Sequence, residues 1–331
     1  MRIKILSILV MIANMAASAA SPIYPKPLQE GDSFAIVSPS SIIKPELVFT
    51  AMEALKNQGW QPYASEAVFG RYGTYAGPAE MRLADFEKAW ESPGVHAIMC
   101  SRGGYGAVHL LDSLSRLSFA NPKWVIGFSD ISALHSLLAS KGIVSVHAKM
   151  ASGLDRENGT DTLSQDLFKI LRGGGVDISV PADSLNRTGH AEGKLVGGNL
   201  SVLAGLIGTP YDVIAPGTIL FIEDVDEPIY KIERILYQLR LRGVLPRLAG
   251  LIVGQFTGIK DPPKEYNEEN PDMYTTIYNM VKGYGYPVAF NFPIGHVDDN
   301  RPVLCNAPAR LDVTDEGVTL RQPGALDKGQ R

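Results

Sequence analysis

Short apolar runs alternate with amphipathic helical patterns along this chain, and that alternation restricts the fold more than any other feature. The apolar runs lie at residues 34–37, 95–100, 124–126, 143–146, 219–222 and 248–253, and the helical patterns lie at 45–58, 78–91, 133–140 and 228–239. Nearly continuous apolar strands separated by helices are typical of a parallel sheet with helices on both faces. The sequence therefore predicts an α/β fold. Residues 303–311 form a less regular apolar stretch, which we interpret as an edge strand.

The composition of the chain changes after residue 153, which indicates two domains. A polar stretch at 155–162 and three consecutive glycines at 173–175 separate the first set of strands and helices from a second set. A length of 331 residues is also consistent with two domains of about 150 residues each. We predict an N-terminal α/β domain over 21–154, a connection over 155–192 and a C-terminal domain over 193–325.

The beginning of the chain has the three-part pattern of a secretory signal peptide. Arg2 and Lys4 form a short positive region, residues 5–15 are almost entirely apolar, and residues 16–20 supply the small side chains that a signal peptidase requires. A bilayer-spanning helix needs about 20 apolar residues, so a retained membrane anchor is the less favoured alternative. We predict a signal peptide at 1–20 and an exported, periplasmic protein that does not bind membranes once the signal is removed.

The charge of the chain argues against one broad class of function. It carries 31 basic and 35 acidic residues, for a net charge of −4, and removal of Arg2 and Lys4 with the signal peptide would make this charge more negative. Nucleic-acid-binding proteins normally carry a basic excess. We therefore expect no nucleic-acid partner.

The cysteine and histidine content does not indicate a metal site. Two cysteines, Cys100 and Cys305, are too few for a disulfide scaffold or a four-cysteine zinc site, and the chain has no His-Glu-x-x-His motif. We therefore expect neither a metal nor an organic cofactor. The two cysteines could pair in an oxidising compartment, but both lie in apolar, strand-like stretches, which favours two buried thiols.

Three reactive side chains follow predicted strands, the position where open α/β sheets bind ligands. Ser129 follows the run at 124–126, Glu223 follows the run at 219–222, and His296 follows an apolar stretch that ends at residue 294. The chain order of serine, acid and histidine is that of hydrolases whose nucleophile lies at a strand-to-helix turn. These three residues are our candidates for a catalytic triad.

The turn around Ser129 matches only part of the Gly-x-Ser-x-Gly pattern, because Gly127 is present but Ile131 stands where the second glycine would be. A serine at such a turn is exposed, and the N–H groups beside it lie at a helix N-terminus. The alternative is that Ser129 only caps the following helix, as serine often does.

The acid and the histidine also have simpler interpretations. Glu223 belongs to the acidic cluster 223–227, which could be a solvated loop. His296 is favoured over His147 and His190 by its position after a strand and a glycine, and the histidines at 96, 109 and 135 lie within predicted strands or helices.

A glycine-rich stretch follows the strand predicted at 95–100. Residues 101–106 have the sequence Ser-Arg-Gly-Gly-Tyr-Gly. Glycines allow the backbone to approach a ligand closely, and backbone N–H groups can hold an anion or a developing oxyanion. A dinucleotide site would require Gly-x-Gly-x-x-Gly, which this stretch lacks, so we interpret it as an anion or oxyanion site.

Five short motifs occur in one order along the chain. They lie at 101–106, 127–132, 197–200, 221–224 and 295–296. Together they resemble the LD-carboxypeptidase family of serine peptidases, which includes muropeptide L,D-carboxypeptidases and microcin C immunity peptidases. The resemblance extends from about residue 28 to residue 313, nearly the whole mature chain.

The resemblance implies an arrangement of domains and a set of site residues. The nucleophile Ser129 would lie in an N-terminal domain with a parallel sheet and flanking helices, and Glu223 and His296 in a smaller, mixed α/β C-terminal domain. The active site would then lie at the domain interface. The oxyanion would be held by the N–H groups of Asp130 and of Gly104, with Gly103 as the alternative to Gly104.

Arg102 is our candidate for binding the free carboxylate of a substrate, because a guanidinium binds a carboxylate bidentately. A structural salt bridge is the alternative for Arg102. The implied enzyme is a serine-type L,D-carboxypeptidase that acts on a small peptide and releases the terminal D-alanine of murein tetrapeptides, in peptidoglycan recycling or remodelling.

Two other functions remain open. One is an immunity-type peptidase that cleaves peptidyl or aminoacyl nucleotides, and the other is a non-catalytic, exported binding protein. The sequence also leaves open whether the protein forms a homodimer. The chain departs from the family at 147–150, which is His-Ala-Lys-Met where members usually have a segment like His-Gly-Pro-Met. It departs again in its signal peptide, because members of the family are commonly cytoplasmic.

The signal-peptide interpretation predicts where the mature chain begins. Cleavage at the run of small residues should leave Ala20 or Ser21 as the first residue of the exported protein. N-terminal sequencing of protein recovered from outside the cytoplasm tests this, and an exported chain that still begins at Met1 would contradict it.

Overall fold

A computed structural model describes residues 21–154, 156–260 and 271–327. The predicted signal peptide, residues 1–20, lies outside the described residues. The strands are β1 (Ser33–Val37), β2 (Gln61–Ala64), β3 (Val95–Cys100), β4 (Trp124–Gly127), β5 (Ser145–His147), β6 (Val176–Pro181), β7 (Gly189–Asn199), β8 (Ile219–Val225), β9 (Gly250–Thr257), β10 (Val288–Ala289), β11 (Val303–Cys305), β12 (Pro308–Val313) and β13 (Gly317–Gln322). The helices are α1 (Pro45–Lys56), α2 (Ala79–Glu91), α3 (Leu111–Leu114), α4 (Ser132–Ser140), α5 (Thr162–Leu171), α6 (Leu200–Ala204), α7 (Ile229–Leu241) and α8 (Met273–Val281).

The first sheet has the order β11-β5-β4-β3-β1-β2, and all its strands are parallel except β11. Its central strands are largely apolar because both faces of the sheet are covered. Phe34 and Ile36 of β1 enter a buried cluster with α1 and α5, and Ala35 and Val37 enter another with α2 and α4. The predicted α/β fold with a parallel sheet is confirmed.

The second sheet has the order β10-β9-β8-β7-β12-β13-β6 and is mixed. Strands β7 to β10 pair in parallel, whereas β12, β13 and β6 pair in an antiparallel manner.

Two segments of the structure differ from what the sequence predicts. The stretch 155–192, predicted to be a connection, contains α5, β6 and the beginning of β7. The stretch 303–311 is divided at Asn306, which has a φ of +64°.

The two parts of that divided stretch enter different sheets. Strand β11 forms an edge, as expected, but it is an edge of the first sheet, although residues 193–325 were predicted to form the C-terminal domain. Strand β12 lies between β7 and β13 in the interior of the second sheet. The prediction of an edge strand is therefore wrong for β12, whose alternating buried and exposed residues reflect a strand with only one face on the core.

The two sheets share a core and meet closely beside α4. Phe221 of β8 and Ile252 of β9 belong to the same buried cluster as Phe34 of β1. A β-carbon on Gly198 of β7 would lie 2.3 Å from the Ser132 hydroxyl oxygen, and the N–H of Asn199 donates to that oxygen at 3.0 Å. Glycine is required at position 198 because α4 of the first sheet's layer approaches the β7 backbone directly.

The buried thiols predicted from the sequence are confirmed. Cys100 and Cys305 are both free and buried, and burial raises the pKa of the Cys305 thiol to about 12. The helices within the described ranges include none with both the length and the apolar character needed to cross a membrane.

The contact at Gly198 predicts a specific loss of stability. Gly198→Ala should lower the free energy of unfolding by about 1–3 kcal/mol, because the added methyl group overpacks the approach of β7 to α4. Thermal or denaturant unfolding measures the change. Gly283→Ala is the matched control, because a β-carbon at that position has no neighbour within 4 Å. Equal effects of the two substitutions would contradict the prediction.

Candidate active site

Ser129 lies at a tight turn between β4 and α4. Phe128 is still extended, whereas Ser129 has a φ of +64° and begins the turn of 3₁₀ helix that leads into α4. This left-handed conformation costs a residue with a side chain about 1–2 kcal/mol. The strained turn is the geometry of a nucleophile at a strand-to-helix junction.

The packing of Ile131 explains the missing second glycine of the Gly-x-Ser-x-Gly pattern. A β-carbon on Gly127 would lie 2.9 Å from two carbon atoms of the Ile131 side chain. The isoleucine therefore occupies the space beside the first glycine, so that Gly127 is required and a glycine at 131 is not.

Glu223 reaches the site because of its position in β8. Phe221 of this strand faces the core shared by the two sheets, and Ile222 faces the opposite core. Since side chains alternate along a strand, Glu223 lies on the side of Phe221, toward the first sheet. Its carboxylate is fully buried, and the absence of side chains on Gly254 and Gly295 leaves room for it.

His296 connects the other two residues by hydrogen bonds. Its Nδ1–H donates to Glu223 Oε2 at 2.7 Å, and its Nε2 accepts from the Ser129 hydroxyl at 3.0 Å. The loop before it is held by Asn300, whose Oδ1 accepts the N–H of Gly295 at 3.0 Å. The structure therefore brings Ser129, His296 and Glu223 into one hydrogen-bonded chain that crosses from the first sheet to the second.

The Glu223 carboxylate determines the electrostatics of the histidine. Burial alone would lower the pKa of His296, but the hydrogen bond and charge of Glu223, with Asp224 and Asp226, raise it above its usual value. Burial also raises the pKa of the Glu223 carboxyl group, against the opposing effect of His296. Glu223 thus favours the Nδ1–H tautomer and would stabilise the imidazolium form that appears when His296 accepts a proton.

Asp224 points to the opposite side of β8 and has a different role. Its two carboxylate oxygens accept from the Asn199 side chain and from the N–H and hydroxyl of Ser201, at 2.8–2.9 Å. These contacts hold the first turn of α6. The residues of the acidic cluster therefore have different surroundings. Glu223 is hydrogen-bonded to His296, Asp224 is hydrogen-bonded to the first turn of α6, and Asp226 is exposed.

The glycine-rich stretch 101–106 lies beside the nucleophile. A β-carbon on Gly103 would lie 2.8 Å from Ser129 Cβ, 3.0 Å from its Oγ and 3.5 Å from the Asp130 nitrogen. A β-carbon on Gly104 would meet Ser41 Oγ at 2.1 Å. The backbone of Gly103 therefore lies against Ser129, and that of Gly104 lies against the loop after β1.

Arg102 is exposed at the edge of the site. Its Nη1 donates to the carbonyl of Ile42 at 3.1 Å, and none of the ion pairs within the described residues includes it. The arginine is thus anchored by one backbone contact and keeps its charge available. This arrangement differs from the structural salt bridge that was the alternative for Arg102.

The remaining histidines are outside the hydrogen-bonded chain. His147 is fully buried between the rings of Phe128 and Phe221, and His190 is exposed and contacts Asp312. His135 is buried and bonded to Ser145 and to the backbone of β4. No group of three or more histidine, cysteine, aspartate or glutamate side chains that could hold a metal occurs among the described residues.

Sequence reasoning missed three residues that surround the nucleophile. Ser40 and Ser41 follow β1, and Arg82 lies in α2; all three contact the glycine-rich stretch or Asp130. The two serines could have been found, since they follow an apolar strand as Ser129 does. Arg82 had no such signal, because it lies within an ordinary amphipathic helix.

Comparison with known proteins agrees with this geometry. Residues 34–148 match the LD-carboxypeptidase N-terminal domain, and residues 192–311 match the LD-carboxypeptidase C-terminal domain. The chain belongs to the LD-carboxypeptidase family. The resemblance inferred from the five motifs is confirmed, and with it membership of a family of serine carboxypeptidases.

Named relatives match most of the chain. A murein tetrapeptide carboxypeptidase from Pseudomonas aeruginosa is 34% identical over 81% of this chain and 89% of its own. The crystal structure of muramoyltetrapeptide carboxypeptidase from Oxalobacter formigenes matches with a TM-score of 0.78 at 26% identity, over 88% of this chain and 98% of its own. The microcin C7 self-immunity protein MccF from Escherichia coli is 25% identical over 91% and 96% of the two chains.

The contact between Glu223 and His296 predicts a change in pH dependence. His296 must be neutral to accept a proton, so kcat/KM should rise as the pH increases through its pKa. Glu223→Gln removes the charge that raises this pKa, so the rise should move to lower pH, and kcat should fall by about 10⁴-fold. A pH–rate profile on a peptide substrate measures both effects.

Asp224→Asn is the matched control for Glu223→Gln. It removes a neighbouring charge that holds α6, so it should lower the free energy of unfolding by about 1–3 kcal/mol with a much smaller effect on kcat. If Asp224→Asn slows turnover more than Glu223→Gln does, the assignment of Glu223 is wrong.

Proposed function

We propose that the chain is a serine-type L,D-carboxypeptidase that releases the terminal D-alanine from murein tetrapeptides. The observation that carries this proposal is the hydrogen-bonded chain from Ser129 through His296 to Glu223. Its distances suit proton transfer from a serine hydroxyl to a histidine whose tautomer is held by a carboxylate.

In the first half of the reaction, Ser129 Oγ attacks the scissile carbonyl carbon and its proton passes to His296 Nε2. The tetrahedral intermediate collapses by breaking the C–N bond, and His296 donates the proton to the leaving amine of D-alanine. In the second half, His296 takes a proton from water, the resulting hydroxide attacks the acyl carbon, and Ser129 leaves and recovers its proton. Glu223 remains ionised and stabilises the imidazolium form of His296 in both halves.

The oxyanion of the tetrahedral intermediate needs N–H donors beside Ser129. Asp130 and Gly104 are our proposed donors, with Gly103 as the alternative to Gly104, and the closeness of Gly103 to both Ser129 and Asp130 supports this location. Loss of one such donor costs about 3–4 kcal/mol of transition-state stabilisation.

A carboxypeptidase must also bind the free carboxylate of its substrate. Arg102 directly precedes Gly103, is exposed and forms no ion pair within the described part of the chain. Its guanidinium is therefore available to a terminal carboxylate next to the scissile bond. This position would select a substrate that ends one residue after the bond that Ser129 attacks.

The relatives support the murein substrate over the immunity alternative. The relative named for murein tetrapeptide is 34% identical, whereas the one named for self-immunity to microcin C7 is 25% identical. A signal peptide also suits an enzyme that acts where peptidoglycan is exposed, so we propose that the protein acts in the periplasm.

The direct test is release of D-alanine from purified murein tetrapeptide, followed by chromatography and mass spectrometry. The protein should release D-alanine, and Ser129→Ala should abolish release without changing the thermal unfolding temperature, because the hydroxyl lies on a surface turn. A chelator such as EDTA should have no effect on the rate.

The same assay separates the alternatives. Hydrolysis of an aminoacyl nucleotide in place of the tetrapeptide would indicate an immunity-type peptidase. Binding of tetrapeptide without hydrolysis would indicate a binding protein. A Ser129→Ala variant with a near-normal rate would exclude Ser129 as the nucleophile.

A further inference from the structure

A buried arginine lies behind the glycine-rich stretch, and no carboxylate among the described residues contacts it directly. Arg82 of α2 is only 3% exposed. Its guanidinium donates to the carbonyls of Pro39, Gly77 and Gly106 and contacts Nδ1 of His109. A buried cation bonded mainly to backbone carbonyls needs a compensating charge nearby, because removing a charge from water is costly.

The compensating charge is Asp130, the residue after the nucleophile. It is 2% exposed, and its Oδ2 accepts from the Ser40 hydroxyl at 2.6 Å and from the N–H of Ala107 at 2.8 Å. Burial raises the pKa of its carboxyl group, and the charge of Arg82 is among the influences that oppose this rise.

The two charged side chains hold opposite ends of one peptide group. The carbonyl of Gly106 and the N–H of Ala107 belong to the same peptide unit, and Arg82 binds the oxygen at 2.9 Å while Asp130 binds the N–H. The loop after β1 is held in a similar way, with Arg82 on the Pro39 carbonyl and Asp130 on the Ser40 hydroxyl.

This arrangement determines where the glycine-rich stretch lies relative to the nucleophile. Gly103 lies against Ser129, and its carbonyl accepts the N–H of Ser41 at 3.3 Å. Ser41 Oγ in turn accepts the N–H of Tyr105 at 3.3 Å. A shift of the Gly106–Ala107 peptide would therefore displace the backbone N–H groups beside Ser129.

We propose that Arg82 and the Asp130 side chain are a pair of positioning residues that act through the Gly106–Ala107 peptide to set the oxyanion-binding backbone. The proposal rests on the serine-peptidase function proposed above. Neither side chain touches the substrate; both act by holding the stretch 101–107 against the turn that carries Ser129.

The pair predicts a loss of kcat with little change in KM. Arg82→Met should lower kcat by about 10²-fold, because a displacement of about 1 Å in a catalytic group costs this much. The pH midpoint of kcat/KM should not move, because the pKa of His296 is raised mainly by Glu223, with Asp224 and Asp226, and all three remain in place. A change in KM alone, or an unchanged kcat, would overturn the proposal.

A double-substitution cycle tests the coupling between the two charges. Asp130→Asn keeps an oxygen acceptor but removes the charge, and it should also lower kcat. The double variant should be less impaired than the product of the two single effects, because each single substitution leaves the other buried charge uncompensated. Independent, multiplicative effects would contradict the pairing.

Lys123→Met is the matched control for removal of a buried cation. Lys123 is 5% exposed, and its ammonium group donates to the carbonyls of Ala89 and Ser92 at the opposite end of β4 from Ser129. This substitution should lower the thermal unfolding temperature but leave kcat within about twofold of the original. If it lowers kcat as much as Arg82→Met does, the effect of Arg82 is only one of general stability.

A serine-directed fluorophosphonate separates a failure of this proposal from a failure of the proposed substrate. The reagent acquires charge on a phosphoryl oxygen when a nucleophilic serine attacks, so its labelling rate depends on the same N–H groups and needs no murein peptide. Labelling of Ser129 should be about 10²-fold slower in Arg82→Met and normal in Lys123→Met. If the wild type is labelled but releases no D-alanine, only the substrate is wrong, whereas equal labelling of Arg82→Met and the wild type overturns the positioning role.

Discussion

The alignment of Ser129 with His296 is the constraint that the fold of this molecule has to satisfy, because the two residues of this hydrogen bond come from different parts of the structure. Ser129 follows β4 of the first sheet, whereas Glu223 lies in β8 of the second and His296 follows Gly295, which bridges to Gln255 of β9. A distance of 3.0 Å between a side chain beside the first sheet and a side chain beside the second requires that the sheets be held rigidly together. The shared core, the close approach of Gly198 to α4 and the burial of Glu223 all serve that requirement.

Much of the first sheet could be predicted from the sequence, because β1, β3, β4 and β5 are local apolar runs. Strand β2 was not predicted, because Gln61–Ala64 has no such pattern. The second sheet was less predictable. Strand β12 pairs with β7 and β13, and β6 pairs with β13, so their places depend on contacts between distant segments. A pattern of alternating residues indicates a strand but does not indicate its neighbours, and for this reason the edge position expected for β12 was wrong.

Some residues of the candidate site could likewise be predicted from the sequence, whereas others could not. Ser129 was predicted because it follows a strand, which is a local feature. Glu223 instead lies within β8, and His296 lies in a loop after β10, but the structure brings the three residues together as the chain order suggested. The contacts of Arg82 were not predictable, because its helix precedes the glycine-rich stretch and only the folded chain places its guanidinium beneath the Gly106 carbonyl. The contrast between Glu223 and Asp224 followed from strand alternation, which is also local.

The pairing of β11 with β5 limits where such a chain can be cut into independent fragments. This short strand comes from the C-terminal half of the sequence but completes the edge of the first sheet, where it pairs with β5 from Ser145 to His147. A fragment cut between the two family domains would leave that edge open to pairing with other chains. The two halves are therefore not interchangeable modules, and recombination between relatives would have to exchange β11 together with the sheet that it completes.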